Sequence, residues 1–268
     1  MVPHALSNSK ARQLSDRLRN ADTPDPSDMD LLGELLIEFN SALGQVAGGL
    51  RGLGLSPTTR LKTSGTIIEK MKREAHLDLT NIRDLAGARI VQRMSLEEQD
   101  EIAAKIVDLW PGTRLIDRRL NPSHGYRAIH LVARIDGCPV EIQLRTLYQD
   151  TWAQVMESLG DSWGRAVRYG GEPDDPKVTV YDGSSVTRSE LVHSWIGFSD
   201  SLYELAKAES TLARLQDLPS KSPDLENEVR DLEMRFERVF GPIRDSVREI
   251  AADFAKARAA VSEGRVEQ

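Results

Sequence analysis

Two acidic side chains lie where the sequence predicts strand edges. Asp84 ends a short predicted helical turn just before a strand, and Glu141 lies inside a later apolar strand. A carboxylate on a sheet is costly unless it is paired or binds a metal. Two interpretations are therefore open. Asp84 and Glu141 form structural ion pairs with Arg89 and Arg145, or both bind Mg²⁺, which takes one or two carboxylates with phosphate oxygens and water.

A group of cations precedes Asp84 in the chain. Arg60, Lys62 and Lys70 lie close together, and Thr66 comes one helical turn before Lys70. On a helix, residues four apart share a face. A row of cations with a hydroxyl suits an oligophosphate. A solvated helix surface is the alternative that this pattern leaves open.

A polar turn with a glycine, Asn121–Gly125, leads into another predicted strand. Tyr126, Ala128 and His130 are predicted to share the strand face opposite its apolar one. An aromatic ring on that face can stack on a base, and His130 can contact phosphate. Two amphipathic side chains on a solvent face are the alternative, since such residues are common at surfaces.

The elements that position these side chains follow from the period of the apolar residues. Alternation in the last strand puts Glu141, Gln143 and Arg145 on one face. Asp136-Gly137 has the chemistry of a hairpin turn. Strands interleaved with helices indicate an α+β fold in which helices flank a mixed sheet. The predicted strands span 88–92, 113–117, 128–135 and 139–145, and the predicted helices span 96–109 and 147–159.

The sequence divides into three zones, predicted as a helical segment (1–56), a mixed domain (57–171) and a helical hairpin (172–268). Ser27 and Asp30 have the spacing of a capping box, and the glycines from Gly48 to Gly54 are expected to end that helix. Two apolar seams flank Pro219–Pro223 and predict an α-hairpin. Gly241-Pro242 should kink or break its second helix. The hairpin either caps the mixed domain or contacts a partner, including a second copy of the chain.

Composition excludes several classes of protein. The 268 residues are 40% hydrophobic, enough for a sizeable core, and the net charge of -7 argues against broad nucleic-acid binding. Cys138 is the single cysteine, so no internal disulfide forms and a reducing compartment is expected. The sequence has neither an apolar run of membrane-spanning length nor a secretory signal. We therefore expect a cytoplasmic protein without a membrane contact.

Together these residues resemble the synthetase domain of RelA/SpoT-type proteins, which make (p)ppGpp. The resemblance runs from about Pro57 to Gly171, and its segments are collinear with those of the family. The segments are Arg60-Leu61-Lys62 with Lys70-Met71, Asp84–Ile90, Gly125–His130, Glu141–Thr146, and Trp152-Ala153 with Glu157.

The resemblance implies a nucleotidyltransferase-like fold and Mg²⁺-dependent transfer of pyrophosphate from ATP to the 3′ hydroxyl of GDP or GTP. It implies that Asp84 and Glu141 hold the magnesium and that Glu141 also helps deprotonate the acceptor hydroxyl. Tyr126 would stack on the guanine, and His130 would contact phosphate. The other implied residues are Arg60, Lys62, Thr66, Lys70 and Arg89 for ATP, and Gln143 and Arg145 for the acceptor.

One departure from the family concerns the acceptor loop. The family usually has a lysine shortly before the Gly-Tyr pair, and Asn121–His124 has none. Arg118, Arg119 or His124 would have to replace it. The acceptor is therefore open between guanine nucleotides, adenine nucleotides and the 3′ end of tRNA. Toxic relatives act on tRNA, and for such a toxin an antitoxin would be a partner. A non-catalytic nucleotide sensor is a further alternative.

The hydrolase of the long relatives carries a His-Asp pair, and this sequence has no His-Asp dipeptide. We expect a small, synthetase-only member of the family. Homo-oligomerisation through the C-terminal helices is also expected.

Overall fold

A computed structural model describes residues 6–82, 84–174, 177–179, 185–218 and 223–263. These residues form seven α-helices, seven strands and a short 3-10 helix at Arg165–Tyr169. In chain order the elements are α1 (Asn8–Asn20), α2 (Pro26–Gly52), β1 (Thr58–Leu61), α3 (Ser64–Arg73), β2 (Ala86–Gln92), α4 (Leu96–Leu109), β3 (Arg114–Asp117), β4 (Ile129–Ile135), β5 (Cys138–Thr146), α5 (Leu147–Trp163), β6 (Lys177–Thr179), β7 (Ser185–Thr187), α6 (Arg188–Gln216) and α7 (Pro223–Glu263).

The main sheet has five strands in the order β1-β2-β5-β4-β3. Strand β1 pairs antiparallel with β2, and β4 pairs antiparallel with both β3 and β5. The predicted α+β class, a mixed sheet flanked by helices, is confirmed. Strand β1 was not predicted, because Thr58–Leu61 is polar and exposed and shows no apolar alternation.

The hairpin between β4 and β5 forms as predicted. Asp136 and Gly137 both have positive φ, 50° and 84°, which a two-residue type I′ turn requires. The register then pairs Ile135 with Cys138 and His130 with Gln143. The predicted apolar face of β4 is buried: Ile129, Leu131, Ala133 and Ile135.

The chain divides into two compact units, neither of them continuous in sequence. The first contains residues 1–91, 101–117 and 129–144, and the second contains residues 92–100, 118–128 and 145–268. The first unit buries side chains of α1, α2 and α3 together with those of the sheet, including Phe39, Ile67 and Met71. The second unit buries a cluster around Trp152 and Met156. The division into three zones stays a prediction.

Of two predictions in the N-terminal zone, the capping box at Ser27 and Asp30 is wrong and the helix end at the glycines is confirmed. Helix α2 is capped by Asp25, whose carboxylate accepts the backbone N–H of Ser27 at 2.8 Å, and Pro26 occupies the first turn. Aspartate is a strong N-cap, and proline suits the position after it. The glycines end the helix as predicted: α2 ends at Gly52, and Gly54 follows it with a φ of 79°, while Gly48 and Gly49 lie inside the helix. A Cβ on Gly49 would lie 2.6 Å from the Trp110 ring, so this glycine allows a close approach.

Three further differences concern turns and the C-terminal zone. Asn81 and Ile82 form a turn on the Asp78 carbonyl, and no helix forms there among the described residues. Strands β6 and β7 form a small hairpin in the zone predicted as helical. Gly241-Pro242 was predicted to kink or break the helix, and the break is wrong because α7 continues through Pro242. Four residues of the Pro219–Pro223 connection, 219–222, lie outside the described residues. None of the described helices combines the length and hydropathy that a membrane crossing needs.

Candidate active site

The first cluster of the site surrounds Asp84 in the first unit. Lys62 Nζ lies 2.5 Å from Asp84 Oδ2, and Lys70 Nζ lies 2.9 and 3.0 Å from its two carboxylate oxygens. Lys62 Nζ also donates to the Asp84 carbonyl at 3.1 Å. The two lysines predicted to bind ATP phosphates therefore both contact the carboxylate predicted to hold magnesium.

Two elements bring these lysines to one carboxylate. The backbone N–H of Lys62 donates to the Leu85 carbonyl at 2.8 Å, which extends the pairing of β1 with β2. Lys70 lies in the last turn of α3, which Thr63 caps by accepting the Thr66 backbone N–H. The Thr66 hydroxyl donates to the Thr63 carbonyl at 2.9 Å. The cap and the pairing of β1 with β2 together fix where both ammonium groups lie.

The pKa of Asp84 reflects this pairing. Burial raises the pKa, but the hydrogen bonds and charges of Lys62 and Lys70 outweigh burial, so the pKa of Asp84 lies below its ordinary value of 3.8. Asp84 is therefore ionised at neutral pH, and its charge is shared by two ammonium groups.

The second cluster surrounds Glu141 on β5. His130 Nδ1 lies 2.8 Å from Glu141 Oε1, and Gln143 Nε2 donates to Oε2 at 3.1 Å. His130 and Gln143 are directly opposite each other on β4 and β5, so all three side chains lie on one face of the sheet. The Glu141 side chain is 19% exposed. Both carboxylate oxygens are thus oriented by neighbours, and the carboxylate still reaches the surface.

Burial raises the pKa of Glu141, while the hydrogen bond and charge of His130 and the hydrogen bond of Gln143 lower it, and the net result is a pKa below 4.5. The negative charge of Asp84 acts in the opposite direction and raises the pKa of Glu141, so the two carboxylates interact. Two ionised carboxylates fit the ligand preference of Mg²⁺, which takes one or two. The described residues contain no group of three or more acidic, His or Cys ligands that holds a metal with protein ligands alone.

Two other predicted ATP residues, Arg60 and Arg89, lie on β1 and β2 of the same sheet. Arg60 is exposed on β1, opposite Gly87, and Arg89 on β2 is paired with Thr58. The structure therefore brings Arg60, Lys62 and Lys70 to β1 and the adjacent helix, as the sequence predicts for a triphosphate site. Asp84 forms its ion pairs with lysines, whereas the structural interpretation of the sequence had proposed Arg89.

The predicted acceptor residues Tyr126 and Arg145 lie in the second unit. Arg145 Nη2 donates to the Tyr126 hydroxyl at 3.1 Å, and its guanidinium lies 5.1 Å from the centre of that ring. Arg145 also pairs with Asp150 at 2.9 Å, and the side chains of both are only 3% exposed. The predicted partner of Arg145 in the structural interpretation was Glu141. The sequence did not reveal Asp150, because an aspartate in the first turn of a helix is common.

Tyr126 does not belong to the strand, contrary to the sequence prediction. It ends a turn in which its N–H donates to the Ser123 carbonyl at 3.0 Å, and β4 begins only at Ile129. His124 and Gly125 both have positive φ in this turn, 49° and 84°. The turn sets the ring orientation independently of strand alternation.

Arg119 was one of three residues considered as a replacement for the missing loop lysine. Its side chain is buried and donates to the Leu96 carbonyl, Gln99 and Asp100, all within the second unit. Gln99 in turn bonds Gln149. Arg119 therefore serves this buried network, and Arg118 and His124 stay as the predicted substitutes.

The lowered pKa of Asp84 predicts how stability depends on pH. A carboxylate whose folded-state pKa is depressed stabilises the fold above its unfolded pKa, and this contribution disappears as pH falls through the folded pKa. We expect Asp84→Asn to lower the free energy of unfolding at pH 7 by on the order of 1 kcal/mol, given that Asp84 is partly exposed. At pH 3 the difference should shrink. Urea unfolding at both pH values measures it, and an equal loss at both would contradict this account.

Comparison with known proteins gives a family match for the region that holds both clusters. Residues 59–159 match the family described as the region found in RelA/SpoT proteins. The uncharacterized proteins Rv1366 of Mycobacterium tuberculosis and Mb1401 of Mycobacterium bovis are each 34% identical over 175 residues. The match covers 63% of this chain and spans 64% of the length of these relatives.

Solved structures of small alarmone synthetases from Bacillus subtilis share the fold. Synthetase 1 aligns with a TM-score of 0.51 and 20% identity, covering 70% of this chain and 100% of the other. Its complex with the product pppGpp aligns with a TM-score of 0.51 and 19% identity, covering 69% and 97%. Synthetase 2 aligns with a TM-score of 0.52 and 17% identity, covering 70% and 99%. At these identities the likeness establishes the fold.

Proposed function

Residues 59–159 are a RelA/SpoT region, and from this premise we propose that the chain transfers pyrophosphate from ATP to the 3′ hydroxyl of GDP or GTP, forming AMP and (p)ppGpp. The observation that carries the proposal is a pair of ionised carboxylates in the first unit, each oriented by its own hydrogen-bond partners, with the charge of Asp84 acting on Glu141. Asp84 is held by two lysines and Glu141 by His130 and Gln143. The product-bound relative, synthetase 1 with pppGpp, supports the acceptor class.

The reaction is a displacement at the β-phosphorus of ATP. The acceptor 3′ oxygen forms a bond to that phosphorus, the bond to the oxygen bridging the α- and β-phosphates breaks, and AMP leaves with that oxygen. The acceptor hydroxyl gives its proton to Glu141. Such a transfer depends on in-line positioning and on positive charge near the developing anions.

Glu141 suits the role of general base because His130 and Gln143 orient both of its oxygens and keep its pKa low. A base with a low pKa is always ionised at neutral pH but is weak, so positioning has to supply much of its effect. We assign His130 to contacts with the transferring phosphates and Gln143 to contacts with neighbouring groups of the acceptor. Tyr126 is assigned to stacking on the acceptor base. Arg145 is buried against the Tyr126 ring, so its role in acceptor binding is to hold that ring in place.

Lys62 and Lys70 are assigned to the phosphates of ATP, with Arg60, Thr66 and Arg89 beside them. Both lysines pair with Asp84, so the phosphates of ATP would compete with this carboxylate for them. Magnesium, when bound, stabilises charge on the phosphate oxygens. The residues that would hold it are Asp84 and Glu141.

We expect Lys62→Met and Lys70→Met each to raise the KM for ATP by about tenfold or more, because each removes a charge-assisted hydrogen bond to phosphate. The KM for the acceptor should change little. Steady-state kinetics with both substrates varied would measure the two values. Lys105→Met is the matched control, since Lys105 is exposed on α4. Equal ATP KM values in all four proteins would remove the lysines from the ATP site.

The proposed activity is tested by offering GDP, GTP, ATP and bulk tRNA in parallel to purified protein with labelled ATP and magnesium. AMP formation that requires GDP or GTP supports the proposal. Label on tRNA alone would contradict the proposal and indicate a tRNA-modifying toxin, for which an antitoxin is expected as a partner. Transfer of label to ATP as the acceptor would indicate synthesis of an adenine alarmone. Tight nucleotide binding without turnover would indicate a sensor. Cytoplasmic location and homo-oligomerisation through α6 and α7 stay predictions, the second checked by mass in solution.

A further inference from the structure

Helix α6 lies outside the matched residues 59–159, yet it contacts the turn that carries Tyr126. The Ser199 hydroxyl donates to the Gly125 carbonyl and accepts a hydrogen bond from Arg127 Nε at 3.2 Å. Ser199 is 3% exposed. One buried hydroxyl thus bonds the residues on both sides of Tyr126.

Arg127 is fixed by two more residues of the same helix. Its guanidinium donates to Asp200 and lies 4.6 Å from the centre of the Tyr203 ring. Arg127 is 8% exposed, so its side chain points into this contact and is largely removed from solvent. A buried guanidinium with a carboxylate partner and an aromatic face has little freedom to move.

Gly125 is fixed by its surroundings as well. A Cβ at this position would lie 2.6 Å from the Trp152 ring and 3.0 Å from the Ile196 carbonyl, and its φ is 84°. Trp152 Nε1 donates to the Trp195 carbonyl at 2.7 Å, which joins α5 to α6 at this place. Only glycine fits the conformation and the space together.

We infer that α6 is a positioning element for Tyr126 and that Ser199 is its central residue. The helix holds the Gly125 backbone and the Arg127 side chain on either side of Tyr126, while Arg145, itself held by Asp150, binds the hydroxyl of the ring. The ring is therefore presented in one orientation. That this orientation serves the acceptor base rests on the proposed function. The C-terminal hairpin then has a role in acceptor binding through its first helix.

The test is Ser199→Ala, with Ser201→Ala as the matched control because Ser201 is exposed on the same helix. Losing the hydroxyl leaves the Gly125 carbonyl and Arg127 Nε without this partner. We expect the KM for GDP or GTP to rise about tenfold and the KM for ATP to change by less than about twofold. Hydrogen–deuterium exchange should be faster for the amides of residues 123–127 in Ser199→Ala and unchanged in Ser201→Ala.

A purely structural role for Ser199 would lower the melting temperature while leaving the ratio of the two KM values and the exchange of the turn unchanged, and that result would overturn the inference. If Ser199→Ala does not fold, Arg127→Lys replaces it, with exposed Arg114→Lys as control. The same rise in acceptor KM is expected, and an unchanged KM overturns the inference. If the wild-type protein neither binds nor uses any acceptor, the proposed function fails. Faster exchange in the variant would then still support the positioning of the turn, and the acceptor role would be overturned.

Discussion

Glu141→Gln should lower the rate of transfer by about 100- to 10,000-fold, the range that a positioned general base contributes. The substitution keeps the shape of the side chain and one acceptor oxygen, so one of the contacts with His130 and Gln143 is kept while the new NH2 group faces the other partner, and the fold should be retained. It removes both the proton acceptor and one of the two carboxylates assigned to magnesium. Single-turnover kinetics at saturating ATP and acceptor would measure the loss at the chemical step.

Glu101→Gln is the matched control, since Glu101 is exposed on α4 in the same unit. It should keep full activity and the same melting temperature. A Glu141→Gln protein that retains more than about a tenth of the wild-type rate would contradict the assignment of Glu141 as the base. The carboxylate would then have only a structural role, in a polar network with His130 and Gln143 instead of the ion pair with Arg145 that the sequence left open.

Asp84→Asn should lower kcat by about 100-fold or more, because an anionic metal ligand that acts on the transition state is worth several kcal/mol. The KM for ATP should not rise. Lys62 and Lys70 lose their carboxylate in this variant and are left to bind phosphate alone. The magnesium concentration that gives half of the maximal rate should increase. Rates over a series of ATP and magnesium concentrations measure all three quantities.

The control for this variant is Asp108→Asn, an exposed position on α4. The split between kcat and KM is what distinguishes the two roles of Asp84. A large rise in the ATP KM with unchanged kcat would mean that Asp84 only holds the two lysines in place, and the magnesium assignment would be removed from it.

The sequence was sufficient for the parts of the fold that depend on local chemistry. Helix α4 begins and ends at the predicted residues, and the Asp136-Gly137 turn forms because both residues accept positive φ. The spacing of Arg60, Lys62 and Lys70 predicted a group of cations, and in the structure Lys62 and Lys70 contact Asp84, which the spacing did not predict. The pattern did not show which residue pairs with Asp84, because ion pairs depend on which strands are neighbours in the sheet.

The contacts that position Tyr126 were beyond the reach of the sequence. Ser199 and Asp200 lie more than 70 residues from Gly125 and Arg127 in the chain. Nothing in the spacing of these residues within α6 indicates that they contact a turn so far away in the sequence. Asp150 has the same position as any carboxylate in the first turn of a helix, and its pairing with Arg145 is seen only in the structure. At Pro242 the local sequence predicts a helix break that does not form, since Pro242 lies inside α7, a helix of 41 residues.

The central claim is that pyrophosphate moves as one group, and positional labelling of ATP tests it most directly. With GDP or GTP as acceptor, label at the α-phosphorus should appear only in AMP. Labels at the β- and γ-phosphorus should appear together, in equal amounts, on the acceptor. Transfer of the γ-label alone, transfer of the α-label, or release of the β- and γ-labels as free pyrophosphate would each contradict the proposed reaction.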